Sequence, residues 1–256
     1  MKKIILAAST AAIVLACAVT ALAANVNTIN FKLSPGKSGT AKKPKTVSGA
    51  FGFKVSETQN QRPAALEKLT VDFGGLHINT SRFPACAAAK IEQAQSDSVC
   101  SSKALVATGF ANNFAGNVDN RADKSISCYL SVNLYNSGPG KAALFVKGDP
   151  NVPAPKNCPI AVATAIPVSI SRRPTGDRLS FSIPQNLKNP LPTLRNSLVE
   201  TQLTLLKKTV KKGKKTYGYF ETFGGCKNGR RTVNVTFDNE GTDADTTQAG
   251  FATCSK

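Results

Sequence analysis

Apolar residues recur at every second position along much of this chain, and that period is compatible with few folds. Cys128, Leu130, Val132 and Leu134 alternate with Tyr129, Ser131, Asn133 and Tyr135. Leu179, Phe181 and Ile183 alternate with two serines, and Val233, Val235 and Phe237 with Asn234 and Thr236. Val26 to Leu33 opens the series in the same rhythm. Successive side chains of an extended strand point to opposite faces, so each segment reads as a strand with one buried face. Between them, Ser137-Gly138-Pro139-Gly140, Thr175-Gly176-Asp177 and Lys212-Gly213 have the spacing and chemistry of hairpin turns. Strands in hairpin succession predict a mainly β, antiparallel meander: a curved sheet, an open barrel or a sandwich. No strand–helix–strand rhythm is present, which argues against a parallel α/β sheet.

Two segments depart from the simple pattern. From Ile160 to Ile170 the even positions are bulky (Ile160, Val162, Thr164, Ile166, Val168, Ile170), while Ala161, Ala163, Ala165, Pro167 and Ser169 make a small opposite face. A small outer face suits close packing by a neighbouring segment, with space for a ligand as the other reading. Pro167 points to an edge or a bulge, because proline cannot donate to a strand ladder. The one convincing helix runs from Pro84 to about Gln95, with proline in the first turn and alanine in the interior. It is short and weakly amphipathic, so it needs support from outside itself.

That support is expected from disulfides. Met1-Lys2-Lys3, the apolar run to Leu22 and Ala21-Leu22-Ala23 have the form of an export signal, residues 1–23, followed by one domain over 24–256. A lipoprotein box at Val14-Leu15-Ala16-Cys17 is the competing reading, disfavoured because apolar rather than polar chain follows Cys17. Six cysteines remain: Cys86, Cys100, Cys128, Cys158, Cys226 and Cys254. An even set in an exported chain predicts three disulfides in an oxidising compartment. Proximity along a meander suggests Cys86–Cys100, Cys128–Cys158 and Cys226–Cys254, from about 15 possible pairings. The first would lasso the helix, worth about 3 kcal/mol in the chain-entropy model. A zinc site is disfavoured, since there is no Cys-x-x-Cys and only one histidine.

The formal charge is +18, or +16 without Lys2 and Lys3. Such a field attracts polyanions. Outside a cell these are wall polymers, lipid headgroups or acidic polysaccharides, and nucleic acid is not expected there. The sharpest cationic element is a hairpin with Lys207, Lys208, Lys211, Lys212, Lys214 and Lys215 around Gly213, and Tyr217 and Tyr219 behind it. It is the candidate contact for an anionic partner; the competing reading is a solvated tip that resists edge-to-edge pairing.

No catalytic residue, metal ligand or cofactor site is assigned. His77 has no nucleophile motif to serve and reads as a strand histidine with a local hydrogen bond. Gly36-Lys37-Ser38 lacks the upstream glycine and the helix of a phosphate-binding loop. Asp238-Asn239-Glu240-Gly241-Thr242-Asp243-Ala244-Asp245 lacks EF-hand spacing and reads as a solvated turn.

Phe83-Pro84-Ala85-Cys86 with Cys100, the lysine hairpin running into Tyr217-Gly218-Tyr219-Phe220-Glu221-Thr222 and Cys226, and Arg231-Thr232-Val233-Asn234-Val235-Thr236-Phe237 are framework segments. Together they resemble uncharacterised secreted, disulfide-bonded, β-rich proteins of high-GC Gram-positive (actinobacterial) soil bacteria. The resemblance implies secretion and carries over no functional residue. The expectation is a secreted or surface-held binding protein without catalysis, for a lipid or other amphiphile or for an anionic wall polymer or membrane surface. The alternative is a structural or protein-interaction component of the cell surface. A hydrolase is the weakest reading, because no pair of carboxylates stands out. Whether protein side chains close the apolar sheet face or leave a cavity separates the first two.

Overall fold

The computed structural model describes residues 25–241 and 243–255. The proposed signal segment, with Cys17, lies outside the described residues. The strands in chain order are β1 (Asn25–Ser34), β2 (Lys45–Thr46), β3 (Ser48–Glu57), β4 (Leu66–Phe73), β5 (Leu76–Ile78), β6 (Leu105–Asn117), β7 (Ile126–Asn136) and β8 (Lys141–Gly148). They continue with β9 (Val162–Ser171), β10 (Arg178–Ser182), β11 (Leu194–Leu205), β12 (Thr209–Lys212), β13 (Lys215–Gly218), β14 (Phe220–Thr222), β15 (Arg230–Asn239) and β16 (Thr246–Thr253). Helix α1 (Ala88–Ala94) follows β5, and the single-turn α2 (Gln185–Lys188) follows β10.

Eleven strands form one sheet in the order β1-β3-β11-β6-β7-β8-β9-β10-β4-β15-β16, curled into a nearly closed barrel. Every neighbouring pair is antiparallel. With an odd number of strands, β16 runs in the same direction as β1, so the closing pair has to be parallel. The seam shows the consequence. Among the described residues, backbone bonds join it only beyond the strand ends, where Ser38 N–H donates to Ser255 O (2.8 Å) and Ser255 N–H to Gly36 O (3.1 Å). Lower down, Asn27 Nδ2 donates to Thr246 Oγ1 at 2.7 Å. Gly250 lets β1 lie close, because a Cβ there would stand 2.4 Å from Cγ2 of Ile29.

The hairpins expected after β7, β9 and β12 are all present. The strand order is less simple than a meander. β6 to β10 follow the chain, as do β15 and β16, but β11 inserts between β3 and β6, and β4 between β10 and β15. Residues 58–65 and 183–193 therefore cross the barrel's lower end, where β3 and β10 finish, and 206–229 cross the upper end. A plain up-and-down meander leaves both mouths open. These crossings cover them.

The interior is aromatic on one side. Phe53 meets Phe237 with ring centroids 5.1 Å apart, and Phe73 meets Phe51 at 5.7 Å and Phe31 at 5.8 Å. The small outer face of β9 is filled by α1: buried Ile91 packs with Ala165, Phe145, Ala143 and Tyr135 against the outside of the barrel. Pro167 lies within the sheet. It is paired with β8 only, because β9 meets β10 solely through Ser169–Ser171, so proline sits at a local edge.

Helix α1 begins at Ala88, not Pro84, and Cys86 precedes it. Residues 83–86 are held extended by the barrel instead: Asn136 Nδ2 donates to Phe83 O (3.1 Å) and Pro84 O (3.0 Å), and Cys86 N–H donates to Asn136 O (2.8 Å). Fully buried Asn136 outcompetes the weak helical preference of this stretch. Helix α2 is an addition to the single expected helix. All three disulfides join the expected partners, Cys86–Cys100, Cys128–Cys158 and Cys226–Cys254.

Candidate binding cavity and cationic end

Alternation sends Ala107, Ala111, Asn113 and Ala115 of β6 inward, all buried and all small for a barrel wall. The phenylalanine cluster fills the lumen near β1, β3, β4 and β15. Opposite β6 the lumen is left with a cavity of about 120 Å³. Leu130, Val132, Val146, Ile166, Leu198 and Leu203 line one side of it, and Phe51, Phe53 and Phe73 of the aromatic cluster border the other. Asn113, Lys188, Asn196 and Thr201 are the polar lining residues. An apolar cavity with few polar groups is the usual form of a small-molecule site.

Ile78 and Phe220 border the cavity toward the upper end, and Leu187 of α2 toward the lower. The Cys128–Cys158 disulfide packs with Leu187 in the same apolar cluster. Gly148 makes room for it: a Cβ there would stand 3.2 Å from Cys158 Sγ. Side chains from the wall hold α2. Asn196 Nδ2 donates to Leu187 O (2.9 Å), and Asn186 Nδ2 to Thr164 Oγ1 (3.0 Å) across the place where β9 and β10 part. Lys188 Nζ pairs with Glu240 (3.4 Å) and Glu67 (3.9 Å), while Arg195 pairs with Glu240 at 2.6 Å. One short turn, tied to four parts of the rim, thus closes the lower mouth.

The predicted lysine hairpin is β12–β13, with Lys212 opposite Lys215 across the turn Gly213-Lys214. Lys207, Lys211, Lys212, Lys214 and Lys215 are exposed. Lys208 is half-buried and its Nζ donates to Ser102 O at 3.2 Å. The Arg82 guanidinium lies 3.8 Å over the Tyr217 ring and braces the base. Tyr219 is not on the hairpin's flank but fully buried, edge-on to Phe83 and Phe220. Because β1 ends and β3 begins at the upper mouth, the loop carrying Lys37, Lys42, Lys43 and Lys45 lies at the same end as the hairpin. Glu57, Asp119, Asp123, Asp149, Glu240, Asp243 and Asp245 lie at the lower end. The barrel is thus polarised, cationic above and mixed below.

His77 lies on β5, stacked 3.7 Å from Phe223, with Nδ1 3.1 Å from Asp177 Oδ1. That carboxylate also accepts from Ile78 N–H (2.7 Å) and Arg172 Nε (3.3 Å), so it ties β5 to the β9–β10 turn. The acidic segment after β15 is engaged rather than merely solvated. Asp243 pairs with Arg121 at 3.1 Å, and Asp245 Oδ1 accepts from Asn239 N–H at 2.9 Å. Among the described residues no cluster of histidine, cysteine or carboxylate side chains is arranged to hold a metal ion.

Sequence reading found the cationic hairpin but missed the cavity-lining residues on β6, β11 and α2. The one local sign was the run of small inward residues at Ala107, Ala111 and Ala115. No protein-family model matches this chain, and no curated protein or solved structure matches it.

Proposed function

We propose that this is a secreted, non-catalytic binding protein that carries a small amphiphile in the barrel lumen. The observation that carries the reading is the apolar cavity of about 120 Å³ that α2 closes off. A purely structural barrel has no need of an unfilled lumen, and empty apolar space costs stability. For scale, an apolar cavity of about 150 Å³ binds benzene, so this one suits a ligand, or the buried part of one, of about five or six heavy atoms. That size favours a short aliphatic molecule over a complete long-chain lipid. Three disulfides support an oxidising, extracytoplasmic workplace.

The test is a titration with hexane followed by NMR of the methyl groups of Val132, Leu144 and Leu198. Saturable shifts are expected, and Ala111→Phe, which fills the lumen, abolishes them. A wild-type lumen that gives no saturable shifts overturns the reading.

A second role is favoured by the clustering of cations at one end. The hairpin lysines together with Lys37, Lys42, Lys43 and Lys45 would hold that end on an anionic wall polymer or membrane surface. The α2 end, on the far side of the barrel, would then face away from the surface.

A further inference from the structure

Resting on the reading of the lumen as a binding site, the chemistry of its wall narrows the ligand. Three of the four polar lining residues, Asn113, Asn196 and Lys188, gather toward the α2 end, while Thr201 lies further up, opposite Ala111: Asn113 lies opposite Leu198 on β11, two residues from Asn196, and Asn196 bonds to Leu187. The far end, at Ile78 and Phe220, is apolar. The cavity therefore has a polar pole and an apolar pole.

The charges at the polar pole are already balanced. Lys188 faces Glu240 and Glu67, and Arg195 faces Glu240. An added carboxylate would compete with two glutamates for these cations. Asn196 Nδ2 is used by Leu187 O. Asn113 differs: it is 4% exposed, and its Nδ2 is buried with no hydrogen-bond partner. An amide left unpaired in an apolar wall is costly, so its presence calls for an explanation. Leucine has nearly the same shape and would suit the wall better.

We infer that the ligand is a neutral, short aliphatic molecule carrying one hydrogen-bond acceptor of the carbonyl type (a ketone, ester or lactone), with its oxygen received by the Asn113 amide and its chain directed toward Phe220. The terminal torsion of an asparagine is broad, so a small rotation presents Nδ2 to the ligand. No bond is made or broken.

The experiment compares 2-hexanone, hexane and hexanoate in wild-type protein and in Asn113→Leu, by NMR titration of the intact disulfide-bonded chain. In wild type, 2-hexanone binds about five- to tenfold tighter than hexane, the effect of one net hydrogen bond. Hexanoate binds more weakly than 2-hexanone. The Asn113 Nδ2 proton resonances shift with 2-hexanone and not with hexane. In Asn113→Leu the preference disappears while hexane binding persists, and the unfolding midpoint rises. Equal binding of hexane and 2-hexanone in wild type, an unmoved Asn113 amide, or hexanoate as the tightest ligand would overturn the inference while leaving the lumen a binding site. If none of the three binds, the underlying reading fails first.

Discussion

Arg62 and Arg231 lie at opposite ends of the barrel, each 1% exposed, and each directs its guanidinium at backbone carbonyls. Arg231 Nη1 donates to Gly75 O (2.6 Å) and to Gly224 O, and its Nη2 to Ser38 Oγ (2.6 Å). Arg62 donates to Arg195 O, Asn117 O (2.6 Å) and Asn120 O (3.1 Å). Burial pushes both pKa values down, and among the described residues neither side chain forms an ion pair with a carboxylate. Each arginine gathers the crossing segments at one mouth. Replacing either by methionine strands several buried carbonyls, at about 1–3 kcal/mol for each unsatisfied group before relaxation. We expect Arg62→Met and Arg231→Met each to lose about 3 kcal/mol or more in urea unfolding. Arg231→Lys recovers only part of that, since an ammonium cannot span the forked set of acceptors. A loss below about 1 kcal/mol in either methionine variant would contradict this account.

The two longer disulfides separate stability from binding. Cys128–Cys158 and Cys226–Cys254 span 30 and 28 residues. Chain entropy therefore assigns them a similar contribution, about 3.5 kcal/mol each. Only the first packs beside Leu187 at the lower mouth of the cavity. Replacing Cys128 and Cys158 by alanine should lower stability and weaken hexane binding together. Replacing Cys226 and Cys254 should lower stability while the binding constant stays put. Equal effects on binding would show that the first disulfide does not shape the cavity.

Filling the lumen should stabilise the protein. Ala111→Leu places new methyl groups in space that is already apolar, and cavity-filling changes commonly add about 0.5–2 kcal/mol. The thermal midpoint should therefore rise as ligand affinity falls. A destabilised variant would mean that the wall cannot accept the larger side chain.

Removing charge from the hairpin should leave the fold alone. Lys211, Lys212, Lys214 and Lys215 are exposed, so changing all four to glutamine should shift stability by less than about 0.5 kcal/mol. Near an anionic membrane each lysine is worth about 1 kcal/mol. Retention on vesicles containing anionic lipid should fall by at least about tenfold, and its salt dependence should flatten. Unchanged, salt-independent retention would remove the hairpin from the binding surface.

Asp123 makes stability depend on acid. Its Oδ2 accepts from Asn117 N–H at 2.7 Å and its Oδ1 from Ser125 N–H at 3.0 Å, and these bonds hold its pKa below the usual carboxylate range. A carboxyl whose folded pKa is depressed contributes fully above its unfolded value and loses that contribution as pH falls through the folded one. Wild-type stability should therefore drop below about pH 4, and Asp123→Asn should be weaker at neutral pH with a shallower acid slope. Identical pH profiles for the two proteins would exclude this role.

Much of the fold was legible because its causes are local. A two-residue period places Leu130, Val132 and Leu134 on one face whatever the strand order, and turn residues join β7 to β8 and β9 to β10 over short spans. The same proximity brings the cysteines together in sequence-adjacent pairs. The start of α1 was not legible, because it is decided by Asn136, about 50 residues further along the chain.

The sequence by itself determined a β-rich chain with three disulfides, a cationic hairpin and one-sided strands. Only the tertiary structure decided that β11 and β4 enter the sheet out of order, that the crossing segments close both mouths, and that the small face of β6 looks across a lumen its neighbours do not fill. Those outcomes depend on contacts between segments far apart in the chain, such as Asn113 opposite Leu198. A period of two says which way each side chain points. Packing decides what it meets there, and whether it meets anything at all.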